Sequence, residues 1–255
     1  MNYLFSIQSD VGITKDVNQD AVGFKSVKTS NGNAVFCVIC DGMGGYDKGE
    51  LASSSVVKAL IRWFDNDFPK LVDDYKFEDI SAQWNYVIQD INRKIINYGR
   101  TCETDLGTTL SAILIFENKY YICHVGDSRI YIIRNDNIIQ LTKDHTLVAK
   151  MLENNEITED EIETHPDRNI LTQCIGVSGR VAPQFEMGDV YIDDVYLLCS
   201  DGFRHEISKK EMVDSFNSKI LNSNQEINTN ISRLIERAEM RKEEDNISVA
   251  VIKII

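Results

Sequence analysis

Five aspartates stand where an apolar run of this sequence stops or starts. Asp41 follows "AVFCVIC" and Asp201 follows "VYLLCS", each with glycine next. Asp245 shortly precedes "ISVAV", Asp127 lies within "VGDSR", and Asp20 directly precedes "AVGF". Each alone reads as a turn or cap residue, because Asp hydrogen-bonds nearby backbone and tolerates tight turns. Delivered together, such carboxylates would repel one another unless a cation neutralised them. Carboxylate and water ligation suits hard ions such as Mg2+ or Mn2+. Gly42, Gly44 and Gly45 would let the backbone approach such an ion and turn into a helix. Nucleotide motifs fit less well. "GMGGYDKGE" lacks the Lys-Ser/Thr ending of a P-loop, and Asp47 stands where a dinucleotide fingerprint needs its third glycine.

Other reactive residues are less telling. Cys37 and Cys40 form a lone C-x-x-C, but residues three apart on a strand face opposite ways, so the pair cannot share one zinc. The six cysteines lie mostly in apolar segments, as reduced thiols do. His124 lies on an expected strand and reads as a core residue. His145 and His165 fall in a polar middle segment, and His205 is near enough to Asp201 to be a candidate for proton transfer.

The elements that must position the aspartates follow from periodicity. Strands are expected at "NYLFSIQSD", "AVGFKSV", "NAVFCVIC", "DVYLLCS" and "NISVAVIKII". "GTTLSAILIF", "KYYICHVG", "SRIYIIR" and "NIIQLT" are joined by tight-turn residues and read as one antiparallel meander. Leu51, Ser55, Val56, Ala59, Leu60 and Trp63 form a helical stripe, as do Trp84, Val87, Ile88, Ile91 and Ile95. Two more amphipathic helices are expected near "KEMVDSFNSKI" and "EINTNISRLIERAEM". Residues 142–178 form a polar insertion, with a capping-box pattern at Thr158 and Glu161. Runs of helix and strand without strict alternation argue for an α+β layered fold.

Composition sets outer limits. With 43% hydrophobic and 26% charged residues the chain has globular composition. Its net charge of −13, without a dense basic stripe, argues against binding nucleic acid or anionic membranes. No apolar run approaches a membrane span, and "MNYLFSIQSD" lacks the features of a secretory signal. A cytoplasmic protein is expected. With no low-complexity linker, one domain over 1–255 is expected.

"DGMGG", "GELAS", "GTT", "VGDSR", "LTKDH", "HPDRN", "SDG" and "DNISV" occur in the order found in bacterial type 2C protein phosphatases. These are the metal-dependent serine/threonine phosphatases of the PPM family, and the resemblance extends from "VGITKDVNQDA" to the terminal strand. It implies a four-layer α-β-β-α sandwich of two antiparallel sheets flanked by helix pairs, with residues 142–178 as a flap beside the cleft. It implies that Asp41 bridges two metals, with the Gly42 carbonyl on the second, and that Asp201 and Asp245 hold the first. Asp127, with Asp201, would hold a third, weaker ion. Asp20 would order metal-bound water, Gln19 would stand behind the ligands, and Asn246 would support the neighbouring loop. Thr108 and Thr109 would pack and hydrogen-bond near the site. Two divalent ions roughly 3.5–4 Å apart can share a water, lower its pKa and aim it at phosphorus. The expected activity is hydrolysis of phosphoserine and phosphothreonine in proteins, in signalling against an opposing kinase. The chain is expected to be a free catalytic domain without the membrane-spanning tail of some relatives.

Three departures bear on that expectation. Lys15 stands where the family usually has a phosphate-gripping Arg, which keeps the charge and loses the bidentate fork. Gln19 stands where many members have Glu. Met43 replaces the candidate general acid of animal members. They motivate an alternative, a pseudo-phosphatase that binds phosphoproteins without turnover. The complete aspartate set argues against it.

Overall fold

The run Val35–Cys40 is apolar throughout because both faces of its strand are buried. Val35, Cys37 and Ile39 enter a core between two sheets. Ala34, Phe36, Val38 and Cys40 enter a second core beneath helices. The alternation is the period of two that any strand imposes, and it separates Cys37 from Cys40 as expected. The computed structural model describes residues 2–44, 48–73, 76–162 and 164–255. Gly45 and Asp47 lie outside them.

In chain order the elements begin with β1 (Tyr3–Asp10), β2 (Ala21–Thr29), β3 (Gly32–Cys40), β4 (Gly42–Gly44), α1 (Gly49–Asn66), α2 (Phe77–Cys102), β5 (Leu106–Thr108), β6 (Leu110–Phe116) and β7 (Lys119–Val125). They continue with β8 (Arg129–Arg134), β9 (Asn137–Gln140), α3 (Leu147–Glu153), α4 (Glu159–Ile162), β10 (Gln184–Asp189), β11 (Val195–Cys199), α5 (Asp201–Glu206), α6 (Lys209–Phe216), α7 (Asn224–Met240) and β12 (Ile247–Ile254). One sheet has the order β1-β12-β11-β8-β9 and the other β10-β7-β6-β3-β2, and β4 pairs with β5 in a small ladder. Every strand pair is antiparallel.

The two sheets face each other across the core of Val35, Ile113, Ile122, Tyr196 and Ile252. Helices α1 and α2 cover one outer face, and α5, α6 and α7 cover the other. The fold is therefore an α+β sandwich with four layers, α-β-β-α. Phe36 shows what holds the first helix layer on. Its ring lies 5.5 Å from Phe64, 6.0 Å from Trp84 and 6.1 Å from Trp63. Truncating so buried an aromatic to alanine costs about 3–5 kcal/mol. No helix among the described residues is long and apolar enough to cross a membrane.

Three readings of the sequence need correction. The expected meander is split: β6 and β7 pair in one sheet, while β8 and β9 pair in the other. "VGDSR" therefore crosses between sheets, helped by Gly126 at φ +103°. The α1 stripe is rotated: Leu51 is exposed, while Ala52, Ser53, Val57 and Phe64 are buried with Val56, Leu60 and Trp63. The cause is local, since the Ser53 hydroxyl donates to the Gln19 carbonyl at 2.6 Å. Finally, β10 is an edge strand on β7 that sequence pattern missed, because "QFEMGD" is polar and only half covered.

Candidate active site

Strand register carries all five aspartates to one end of the sandwich. Ala21 pairs with Cys40, which puts Asp20 beside Asp41. Leu110 pairs with Val125, and Cys199 with both Arg129 and Val249, so the Asp127 crossing meets the ends of β11 and β12. Asp10 pairs with Ile247, which brings the loop after β1 to Asp245. A cleft of about 530 Å3 near Arg134, Tyr191 and Asp193 includes none of these residues.

Close backbone approaches explain the glycines beside the aspartates. A Cβ on Gly202 would collide with the Asn246 carbonyl, so the "SDG" and "DN" loops pack backbone to backbone. Gly12, at φ +74°, leaves room for the Asp245 carbonyl, which a Cβ would meet at 2.6 Å. Gly42 is pressed between the carbonyls of Gln19 and Gly49, and a Cβ on Gly49 would lie 2.6 Å from Gln19 Oε1.

Hydrogen bonds then fix each carrier. The Asp41 N–H donates to Thr109 Oγ1 at 2.9 Å, and its carbonyl accepts from Thr109 N–H and Thr108 Oγ1, both at 2.8 Å. Asn246 pins the loop between β1 and β2. Its Nδ2 donates to the carbonyls of Val11 (2.8 Å) and Val17 (3.2 Å), and its Oδ1 accepts from Gln19 N–H at 2.8 Å. That loop carries Lys15, whose Nζ lies 3.4 Å from Asp245 Oδ1, with both side chains nearly half exposed. The hydroxyls of Ser248 and Ser200 lie near the Asp20 carboxylate and favour its charged form.

The electrostatics are those of crowded carboxylates. Burial, followed by the charges of Asp20, Asp201, Asp127 and Asp245, holds Asp41 well above the usual carboxylate range. Burial pushes Asp20 up to about 7 against the nearby serine hydroxyls, with Asp201 and Asp245 adding to the rise. Asp127 is raised to about 6 by burial and Asp201, while Arg204 opposes the shift. Asp20 Oδ2 and Asp201 Oδ1 are sealed from solvent with no hydrogen-bond partner. A divalent cation would satisfy both and relieve the repulsion. Yet among the described residues no three His, Cys, Asp or Glu side chains form a ready ligand cage. Asp245 is drawn to Lys15 and to its neighbour's N–H, and Asp127 to Arg204. Such an arrangement fits an ion that keeps most of its water and takes one or two carboxylates, as Mg2+ does.

The histidines divide as follows. Buried His124 bonds Ser111 Oγ at 2.9 Å through Nδ1, and burial lowers its pKa to about 3, so it is a neutral core residue. His145 Nδ1 accepts from Gly126 N–H at 3.1 Å and His165 Nδ1 from Asp167 N–H at 3.1 Å, which ties the polar insertion together. His205 lies between Asp201 (3.8 Å) and Glu243 (3.7 Å). Burial alone would lower its pKa, but the nearby carboxylates of Glu243 and Asp201 raise it above the usual value. Its place is that of a clamp on Asp201. The insertion attaches at both ends to strands of the site. Thr108 N–H donates to the Ile175 carbonyl at 2.8 Å, and His145 N–H to the Gly126 carbonyl at 2.7 Å.

Sequence reasoning overlooked Arg204, Glu243 and Gly49. Arg204 had one available signal, its place three residues after Asp201 on the same face of a short helix.

The sequence model for protein phosphatase 2C matches residues 13–236. A putative protein phosphatase 2C-type from Streptococcus pyogenes serotype M6 is 33% identical over 252 residues, covering 97% of this chain and 96% of the relative. The S. agalactiae serine/threonine phosphatase superposes with a TM-score of 0.84 at 29% identity, over 100% of both chains. The catalytic domain of the serine/threonine protein phosphatase PstP, in complex with two manganese ions, superposes with a TM-score of 0.78 at 28% identity, over 98% of this chain and 97% of that one. With strand order, convergent aspartates and full-length likeness in agreement, the chain belongs to the protein phosphatase 2C family.

Proposed function

We propose that residues 1–255 act as one catalytic domain, with residues 142–178 as its flap, and hydrolyse phosphoserine and phosphothreonine in proteins at the aspartate cluster. The observation that carries this reading is the convergence of five carboxylates whose crowding leaves Asp41 and Asp20 short of positive charge. Asp41, the Gly42 carbonyl, Asp201 and Asp245 would hold two Mg2+ or Mn2+ ions. Ions so bound supply charge neutralisation and a water of lowered pKa. The two manganese ions of the PstP structure support the count and the choice of metal.

The chain's own residues do the rest. Thr108 and Thr109 fix the Asp41 backbone, so its carboxylate is pre-positioned and no reorganisation is needed. Asp20, with Ser200 and Ser248 near its carboxylate, accepts a proton or hydrogen bond from an incoming water. Lys15, half exposed beside Asp245, is free to turn toward a phosphate oxygen. Asn246 holds that lysine's loop, and Gln19 closes the wall behind Gly42 and Gly49. Phosphoryl transfer needs mainly positioning and charge neutralisation, so no covalent protein nucleophile is required. A phosphoprotein substrate, an opposing serine/threonine kinase and a cytoplasmic setting belong to the same reading.

Steady-state hydrolysis of an aryl phosphate and a phosphothreonine peptide tests it. Turnover is expected to require Mn2+ or Mg2+ and to fall at least about a hundredfold in Asp201→Asn. Metal-independent turnover, or full activity in that variant, would refute the assignment.

A further inference from the structure

Asp127 is not open to an ion in the way Asp201 is. Its Oδ2 accepts from Arg204 Nη2 at 3.1 Å, and the two side chains are only 9% and 8% exposed. Arg204 lies three residues beyond Asp201 in α5, so the fold carries its guanidinium over the same carboxylates. A second arginine stands behind it. Arg129 grips Asp144 through Nε (3.0 Å) and Nη2 (2.7 Å), with both partners largely covered. Arg204 also feels the charges of Asp144 and Asp201. Two fixed cations thus alternate with Asp127, Asp144 and Asp201.

We propose that the Arg204 guanidinium is the resident cation of Asp127, standing where the resemblance puts a third metal ion, so that the chain works with two exchangeable ions. The proposal rests on the two-ion reading above and narrows it. A divalent ion at Asp127 would have to strip a hydrogen-bonded arginine that cannot lose its proton. It would leave that arginine buried beside Arg129, facing the new ion, with too few carboxylates for the added charge. Removing one partner of a buried ion pair is strongly unfavourable because the other charge is left uncompensated. The arginine is also tethered, whereas a weak ion must be drawn from solution. Arg204 is a positioning residue in this scheme. Through Asp127 and the adjoining Arg129–Asp144 pair it fixes the metal end of the sandwich to the base of the flap.

The test is the number of ions bound. Isothermal titration calorimetry and electron paramagnetic resonance of free Mn2+ would be run on the full chain as wild type, Arg204→Lys, Arg204→Gln and Arg204→Gln/Asp127→Asn. Wild type and Arg204→Lys are expected to bind two Mn2+. Arg204→Gln is expected to bind a third more weakly, and the double variant to lose it. Three Mn2+ in wild type would overturn the proposal, as would a folded Arg204→Gln that still binds two. The wild-type count decides even if the glutamine variant fails to fold. Fewer than two ions in wild type would strike at the two-ion site itself, a result distinct from a third ion.

Discussion

The sharpest consequence of the crowded aspartates concerns stability without metal. Asp20 is raised from its ordinary value of 3.8 to about 7, chiefly by burial. Between those values the folded chain holds a proton that the unfolded chain has released. Stability therefore falls as pH rises through this window, with the full loss reached above the folded pKa. Between about pH 5.5 and about pH 7.5 a single group so shifted removes at most about 2 kcal/mol. The residue keeps some exposed surface, but its Oδ2 is sealed. Buried His124, with its pKa lowered to about 3, works in the opposite sense as pH falls. Wild-type melting alone would mix the two effects.

Asp20→Asn separates them, because the histidines are common to both proteins. The amide has nearly the same shape, yet it carries no charge to desolvate. In chelator, the variant should melt above wild type near pH 7.5. That advantage should shrink by up to about 2 kcal/mol near pH 5.5, or roughly 4–8 °C in Tm for a chain of this size. Saturating Mn2+ should reduce or reverse it, since the wild-type carboxylate then faces cations. Differential scanning calorimetry in chelator and in Mn2+ at both pH values gives the comparison. If metal-free Asp20→Asn is no more stable than wild type at either pH, the picture of a charge-starved cluster is wrong.

Two further outcomes follow from the same geometry. Lys15→Ala should raise KM for a phosphopeptide about 5–50-fold with a smaller change in kcat, and Lys15→Arg should lower KM by restoring a bidentate grip, both read from steady-state kinetics. Gly202→Ala forces a methyl against the Asn246 carbonyl and should cost about 1–3 kcal/mol in urea denaturation, together with weaker Mn2+ binding as Asp201 and Asp245 are pushed apart.

What was legible in the sequence had a local cause. An apolar run ends where its strand leaves the core, so Asp41, Asp201 and Asp245 announced their positions through neighbours in the chain. The paired faces of Val35–Cys40 and the covered face of α2 were readable for the same reason. The sheet crossing at Asp127 was not, because a Gly-Asp-Ser turn has the same composition whether its strands pair or part. Only the partners of β7 and β8, far away in sequence, decide that. The short helix α5 was missed for want of enough turns to show a period. With it went Arg204, whose partner lies 77 residues earlier. Asn246 was expected to support a loop, but that it holds the loop of Lys15 and Gln19 depends on β12 ending up beside β1. The aspartates mark where charge must be neutralised. Which cation can do so at each one is set by contacts that form only when the two sheets close on each other.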